Sequence, residues 1–322
     1  MRVKRGMKGT YMRKIPENYS NMITAIHKEK GREWLNNLPS LISYCEKKWN
    51  FYIQEPYELS YNYVAPVICR DGKKLVLKLS VPNHEFEDEL TAISLYKNNK
   101  GMVNLIDCEK ETGIMLLEQL VPGIPLSTIK NDQATTLLAA QVMRQLWKEA
   151  HLHTPLKTTQ QNEFSLKRII QQNPNGIGPF SIDLLLNVLS IFSRLNSSIQ
   201  KYYVLHGDLH HYNILSCHAR GWVAIDPKGL VGEREYDVIQ FLLNRLPNDN
   251  KTHVIQKRIE IFVEQLDLNK ERLLLWGYVH SILSVCWSIE EGGDCNKDFF
   301  EVVDIFNRLY LSEFPNGGYG KQ

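Results

Sequence analysis

The segment His206-Gly207-Asp208-Leu209-His210-His211-Tyr212-Asn213 places a histidine, an aspartate and an asparagine in the order HxDxxxxN. The next residues give that spacing a chemical meaning. Residues 213–217 and 222–226 read as two strands, with His218-Ala219-Arg220-Gly221 between them as a four-residue turn. In such a hairpin Cys217 faces Trp222, so Asn213 faces Asp226. One amide oxygen and one carboxylate then lie side by side at the open end. That donor pair suits Mg²⁺ when phosphate and water fill its remaining positions. Asp208 precedes the hairpin on a loop, where it can accept or orient the proton of a substrate hydroxyl. Phosphoryl transfer passes through a loose transition state, so an aspartate there acts mainly by positioning the nucleophile. His206 joins Asp208 and Asn213 in this catalytic set as a hydrogen-bonding brace of the loop.

A second constellation lies earlier in the chain. Lys78 sits inside the apolar run Leu75-Val76-Leu77-Lys78-Leu79, where a buried charge needs a partner. It can bridge a nucleotide's phosphates and a glutamate on the next helix. On that helix Phe86, Leu90 and Ile93 form the core stripe and Glu89 borders it, with Glu85 one turn earlier as the alternative. A half-exposed strand lysine is the plainer reading.

Other groupings carry less. His206, His210, His211, Cys217 and His218 are dense enough to raise zinc, but adjacent His210 and His211 point apart and no CxxC accompanies them. No GxSxG element signals a hydrolase. Glu233, Glu235, Asp237, Glu290, Glu291 and Asp294 can form an acidic wall for a polycationic ligand. A solvated helix end explains the last three equally well, and Asp237 reads as a cap or anchor for the helix after it.

The elements that must position these residues are set by periodicity. Residues 22–52 read as helix, broken in two by Pro39. Residues 63–69 and 75–80 form a hairpin about Arg70-Asp71-Gly72, a helix covers 85–98, and short strands cover 103–108 and 113–118. The breaker-rich Val121-Pro122-Gly123-Ile124-Pro125 reads as a hinge. Helices then cover 132–151, 163–172, 181–202, 251–266, 270–290 and 297–314. The fold class is α+β: a β-rich N-terminal lobe over residues 1–120, a helical C-terminal lobe over 121–322, and a cleft between them.

Bulk composition narrows the partners. A net charge of +2, from 38 Lys and Arg against 36 Asp and Glu, offers no groove for nucleic acid and no membrane face. The one basic cluster, Arg2, Lys4, Arg5, Lys8, Arg13 and Lys14, reads as a solvated tail with no apolar segment behind it. Leu273 to Trp287 is short for a membrane span and carries His280, so it reads as a buried helix. Six scattered cysteines without CxxC pairs fit a reducing, cytoplasmic setting.

On these residues the chain resembles the aminoglycoside phosphotransferase family, whose fold is bilobal and protein-kinase-like. HGDLHHYNIL with WVAIDPKGLVGEREYDV, the hinge MLLEQLVPGIPL and the helical GREWLNNLPSLISYCEKKWNF resemble its streptomycin 6-kinase and hydroxyurea phosphotransferase branch. The DPKGLxGE string separates that branch from other kinase-like chains. The resemblance implies an ATP- and Mg²⁺-dependent kinase with an alcohol group as acceptor, a role in antibiotic resistance or secondary metabolism, and an aminoglycoside such as streptomycin as substrate. It makes Asp208 the catalytic base and gives magnesium to Asn213 and Asp226. It assigns the phosphates to Lys78 paired with Glu89, the adenine to the backbone from Glu118 to Leu120, and a phosphate or acceptor contact to Lys228.

Two departures stand out. Gly207 replaces the arginine usual in protein kinases, and only Gly229 to Glu235 come after Asp226 where they carry an activation segment. No protein substrate is expected, and the acceptor should be a small molecule. The loop Leu59-Ser60-Tyr61-Asn62-Tyr63-Val64 lacks the glycines that let backbone amides approach phosphate. Hydroxyurea or an amino alcohol is the alternative acceptor, and an inert nucleotide-binding module the alternative class.

Overall fold

The computed structural model describes residues 15–151, 153–292 and 297–315. The basic cluster from Arg2 to Lys14, together with Asp294 and Cys295, lies outside them. The chain divides into two compact units, one of residues up to Glu87 with Leu105–Gln119, the other of Asp88–Asn104 with the chain from Leu120 onward.

The first unit is a sheet covered by one long helix. Helix α1 (Glu17–Lys48) leads into β1 (Phe51–Ile53), β2 (Tyr63–Cys69) and β3 (Lys74–Leu79). After α2 (His84–Leu95), β4 (Leu105–Glu109) and β5 (Ile114–Glu118) complete an antiparallel sheet of order β1-β2-β3-β5-β4. Leu75, Leu77 and Leu79 alternate onto the face where Ile23, Trp34, Leu38 and Cys45 of α1 are buried. Lys78 therefore leaves the sheet on the opposite face, yet it is 2% exposed.

Pro39 does not break α1. The helix runs through it, and the non-helical residue is Lys28 (φ 54°, ψ −130°). A proline inside a helix costs about 3 kcal/mol. Burying Trp34 and Leu38 beside it returns about 1.5–3 kcal/mol each, so packing wins. The expected helix also ends early, because Asn50 (φ 54°) turns the chain and Phe51–Ile53 pairs with β2.

In the second unit β6 (Pro122–Pro125) comes after a cis Val121–Pro122 bond. The chain continues through α3 (Asp132–Leu146), β7 (Lys148–Glu149), α4 (Thr159–Gln172), α5 (Ile182–Ser197) and β8 (Tyr203–Leu205). Next come β9 (Ile214–Cys217), β10 (Gly221–Ala224), β11 (Leu230–Gly232), α6 (Arg234–Asp237) and α7 (Ile239–Leu243). Helices α8 (Lys251–Leu266), α9 (Lys270–Glu290) and α10 (Lys297–Glu313) finish it. Two small sheets, β10-β9-β6 and β11-β8-β7, carry the loops on which the motif residues stand. By length and apolarity α9 could cross a membrane, but 67% of its apolar window is buried inside the protein, with Trp276 edge-on to Phe192 and Tyr236. Cys45, Cys69, Cys108, Cys217 and Cys286 are free thiols.

Arg258 of α8 ties these helices together. Fully buried, it pairs with Asp132 of α3 at 2.5 Å and donates to the carbonyls of Phe241, Leu242 and Asn244 at 2.9, 3.0 and 2.7 Å. Those carbonyls close α7; the Phe241 carbonyl also accepts the Asn244 N–H at 3.3 Å, and the guanidinium supplies donors to all three. Arg258→Leu should therefore lower the unfolding free energy by about 3–5 kcal/mol in a urea titration. A loss under about 1 kcal/mol would mean that water serves those carbonyls equally well.

Candidate active site

The hairpin that carries Asn213 differs from the expected one by a residue. Cys217 pairs with Gly221 and Ser216 with Trp222, so the loop is His218-Ala219-Arg220. Arg220 N donates to Cys217 O at 3.1 Å, and Gly221 comes next with φ 77°. This is a turn closed by a left-handed residue, which glycine adopts without steric cost and which shortens the loop to three residues. Asn213 consequently faces Ile225, whose N–H donates to Asn213 O at 2.9 Å, and Asp226 comes one residue later. Asp226 itself takes a left-handed conformation, φ 55°, which turns the chain away at that point.

The loop before the hairpin is fixed at both ends of Asp208. His206, fully buried, brings Nε2 within 2.9 Å of Ile225 O and accepts the Asp208 N–H on Nδ1 at 3.2 Å. A carbonyl only accepts, so the ring proton is on Nε2 and His206 is neutral, in line with burial lowering its basicity. Asn213 Nδ2 donates to Asp208 O at 3.0 Å. That contact turns the amide oxygen of Asn213 the other way, leaving it as a candidate metal ligand.

Asp237 holds the loop from below. Its Oδ2 accepts the His206 N–H at 3.1 Å and the Trp147 indole N–H at 2.8 Å, while Oδ1 accepts the Gly207 N–H at 2.8 Å. It is an anchor, but of the loop before it rather than of the helix after it. Gly229 N donates to His206 O at 3.0 Å from the other side. A Cβ on Gly229 would lie 2.8 Å from Ala92 Cβ at a φ of 71°, so the close approach requires glycine.

Around the Asp208 carboxylate stand two cationic or proton-bearing groups. Lys228 Nζ is 3.4 Å from Oδ2, and His210 Nε2 is 3.9 Å from Oδ1. His210 Nδ1 accepts the Tyr212 N–H at 3.3 Å, which puts its ring proton on the side of Asp208. Burial lowers the basicity of His210, with Asp208 opposing that shift. Sequence alone placed His210 only among possible zinc ligands, and among the described residues no three His, Cys, Asp or Glu side chains gather as a metal cage. One amide and one carboxylate on neighbouring hairpin positions remain a donor set that fits Mg²⁺, which keeps waters and takes phosphate.

Of the remaining expected residues, Lys78, Glu89 and Leu120 are buried and Glu118 is half-buried. Lys78 lies on β3 between Val64 and Met115, Glu89 is 9% exposed on α2, Glu118 ends β5 and Leu120 is buried. The loop before β2 is pinned by Gln54 N to Pro66 O at 2.8 Å and Tyr57 N to Val64 O at 2.9 Å.

Four carboxylates of the expected acidic wall, Asp237 and three more, are engaged in structural contacts. Glu233 takes Arg272 Nε on both oxygens at 2.9 Å and the Trp276 indole N–H, and burial pushes its carboxyl up. Glu235 accepts the Asn269 N–H at 2.9 Å. Glu290 forms a two-pronged pair with Arg168 at 2.7 and 2.9 Å.

Two buried histidines give the unit a pH dependence. Burial pushes His280 down to about 4, with Lys228 adding to the shift, and pushes His211 down to about 3, against an ordinary 6.5. Both are neutral in the folded chain at pH values where the unfolded chain already binds protons. Their contribution to stability is fully present above about 6.5 and is lost as pH falls towards the folded values. Urea titrations should show a declining unfolding free energy from about pH 7 to about pH 5, and His280→Gln should flatten that decline. An unchanged slope would remove His280 from the account.

Comparison with known proteins agrees with this geometry. The profile of the aminoglycoside/hydroxyurea antibiotic resistance kinases matches residues 55–292. Streptomycin 6-kinase of Streptomyces griseus is 25% identical over 287 residues, 86% of this chain and 92% of that protein. Hydroxyurea phosphotransferase of Kitasatospora aureofaciens is 24% identical over 283 residues, 81% of this chain and 76% of that protein. Among solved structures, a thermostable mutant of aminoglycoside phosphotransferase APH(4)-Ia with ADP and hygromycin B superposes with TM-score 0.60 at 12% identity, over 85% of this chain and 98% of that one. Choline kinase LicA of Streptococcus pneumoniae gives 0.57 at 14% identity, over 85% and 99%. The fold is protein-kinase-like, and the chain belongs to the aminoglycoside/hydroxyurea antibiotic resistance kinase family.

Proposed function

We propose that the chain transfers the γ-phosphoryl group of ATP to a hydroxyl of a small molecule, with Asp208 orienting that hydroxyl and taking its proton. The observation that carries this reading is the fixing of Asp208 by its neighbours. Its N–H is held by His206, its carbonyl by Asn213, and the preceding Gly207 by Asp237. A carboxylate so restrained holds a nucleophile in line without reorganisation. Asn213 and Asp226 are the proposed ligands of Mg²⁺, which when bound neutralises charge on the phosphate oxygens. Lys78, with Glu89 as its carboxylate partner, is assigned to the phosphates, and the backbone from Glu118 to Leu120 to the adenine. Lys228, 3.4 Å from Asp208, supplies a positive charge where the phosphoryl group and the acceptor oxygen meet.

A small acceptor fits the chain beyond Lys228. Strand β11 pairs with β8 directly after that residue, and α6 begins at Arg234, leaving no segment to form a platform for a protein substrate. Streptomycin-like aminoglycosides lead as acceptors on the strength of the streptomycin 6-kinases, which match over most of their length. An uncharged acceptor such as hydroxyurea is the second reading, favoured by the engagement of Glu233, Glu235 and Glu290 in structural contacts.

A coupled ADP-release assay over streptomycin, hydroxyurea and amino alcohols tests the reaction, with acceptor- and Mg²⁺-dependent release expected. In parallel, Asp226→Ala should abolish the magnesium dependence of nucleotide binding in a thermal-shift titration. No shift of the parent chain at millimolar MgATP would leave an inert interaction module in place of an enzyme.

A further inference from the structure

His210 enters none of the roles assigned above, yet its ring faces the carboxylate at the centre of the site. The bonds that fix Asp208 reach its main chain: His206 holds the N–H and Asn213 the carbonyl. Rotation about the Asp208 side-chain torsions is left to other groups. The two carboxylate oxygens face different neighbours, Oδ1 the Nε2 of His210 at 3.9 Å and Oδ2 the ammonium of Lys228 at 3.4 Å.

These two neighbours differ in what holds them. The His210 ring is set by the loop itself. Its Nδ1 accepts the Tyr212 N–H at 3.3 Å, its main-chain carbonyl accepts the Asn213 N–H at 3.0 Å, and the Tyr212 ring meets it edge-on at 5.9 Å. With Nδ1 engaged as an acceptor, the ring is neutral and its one N–H stands on Nε2. A neutral donor suits the task, because a cation fixed at that place would stabilise the carboxylate further and weaken it as a base. The 3.9 Å gap is too long for a hydrogen bond, but a turn of the carboxylate closes it, and such contacts tighten when substrate arrives. Lys228 is the opposite case. Its side chain is 73% exposed on a flexible stem. The phosphates of a nucleotide carry several negative charges against one on Asp208, so they attract that ammonium more strongly.

We propose that His210 is a positioning residue: its Nε2–H holds Oδ1 of Asp208 and thereby presents Oδ2 to the acceptor hydroxyl once Lys228 has moved to the phosphates. The inference rests on the phosphotransfer reading above. The hydroxyl proton goes to Oδ2 as the acceptor oxygen bonds the γ-phosphorus. The bond from that phosphorus to the bridging oxygen breaks, and its electron pair leaves with ADP. The proton on Nε2 of His210 stays where it is.

The test is steady-state ADP release by the full chain with streptomycin, hydroxyurea and ethanolamine as acceptors, in the parent, His210→Gln, His210→Phe and His210→Ala. His210→Gln keeps an N–H donor near the place of Nε2 and loses the ring, whereas His210→Phe keeps the ring against Tyr212 and loses the donor. On the acceptor that the parent turns over fastest, His210→Phe and His210→Ala should lower kcat about tenfold or more with KM for MgATP within about threefold, since the lost bond is to a charged group. His210→Gln should retain at least about a third of parental kcat, the donor being kept. In the Asp208→Ala background, His210→Phe should lower kcat by less than about twofold, because a residue that acts through Asp208 then has nothing to hold. A His210→Phe chain within about threefold of parental kcat, or faster than His210→Gln, assigns the ring to packing and overturns the inference. An equal loss in both backgrounds overturns it as well. A parent that releases no ADP with any acceptor or with water overturns the phosphotransfer reading and the inference with it, so the two failures are separate.

Discussion

Asp208→Ala is expected to lower kcat by about 10³-fold while leaving MgATP affinity within about threefold, because a positioned acid–base group contributes roughly 10²–10⁴. The asymmetry comes from the geometry. The main chain on both sides of Asp208 is held by His206 and Asn213 through bonds that do not use the carboxylate. Truncating the side chain therefore leaves the loop, and the proposed metal ligands beyond it, in place. The group proposed to align the acceptor oxygen and receive its proton disappears, and with it the partner of Lys228 and His210. Asp208→Asn retains shape and hydrogen bonding but cannot take the proton, so its loss should be smaller than that of alanine. Steady-state ADP release and calorimetric MgATP titration read the two quantities separately. Retention of more than about a tenth of parental kcat by Asp208→Ala would transfer the role to another group.

Asp237→Ala is expected to lower stability by roughly 3 kcal/mol or more, since each buried donor left without its acceptor costs about 1–3 kcal/mol. Three donors depend on this 2%-exposed carboxylate: the His206 and Gly207 amides and the Trp147 indole. The first two belong to the loop that presents Asp208, so the folded variant should also lose kcat, with a smaller change in KM. Asp237→Asn turns one acceptor into a donor facing an N–H and should fall between parent and alanine. Denaturant titration with kinetics on the folded fraction checks both parts. A stability loss within about 1 kcal/mol would mean that water satisfies these amides instead.

The motif region was largely legible because its signals are local. A hairpin is visible in residues 213–226 by alternation, and its loop sits between two apolar runs. The register was not, because the choice between a three- and a four-residue loop depends on the backbone of Gly221 alone. Helices α8, α9 and α10 lie where a 3.6-residue period puts them. Pro39 misled, since a local breaker is outweighed by burial across α1.

Sequence by itself determined the order of chemical groups, their spacing along the chain, and the lobe-like succession of strand-rich and helical segments. These are properties of neighbours, set by side-chain alternation and helical period. Tertiary packing alone decided which charges remain available. Glu233 meets Arg272 across 39 positions, Glu290 meets Arg168 across 122, and Asp237 reaches back about 30 to the catalytic loop. No pattern within a turn or a strand carries such pairings, because they exist only once helices have packed and a buried carboxylate must find its donor. Four of the six carboxylates expected to form an acidic wall, Glu233, Glu235, Asp237 and Glu290, are engaged in structural contacts for that reason.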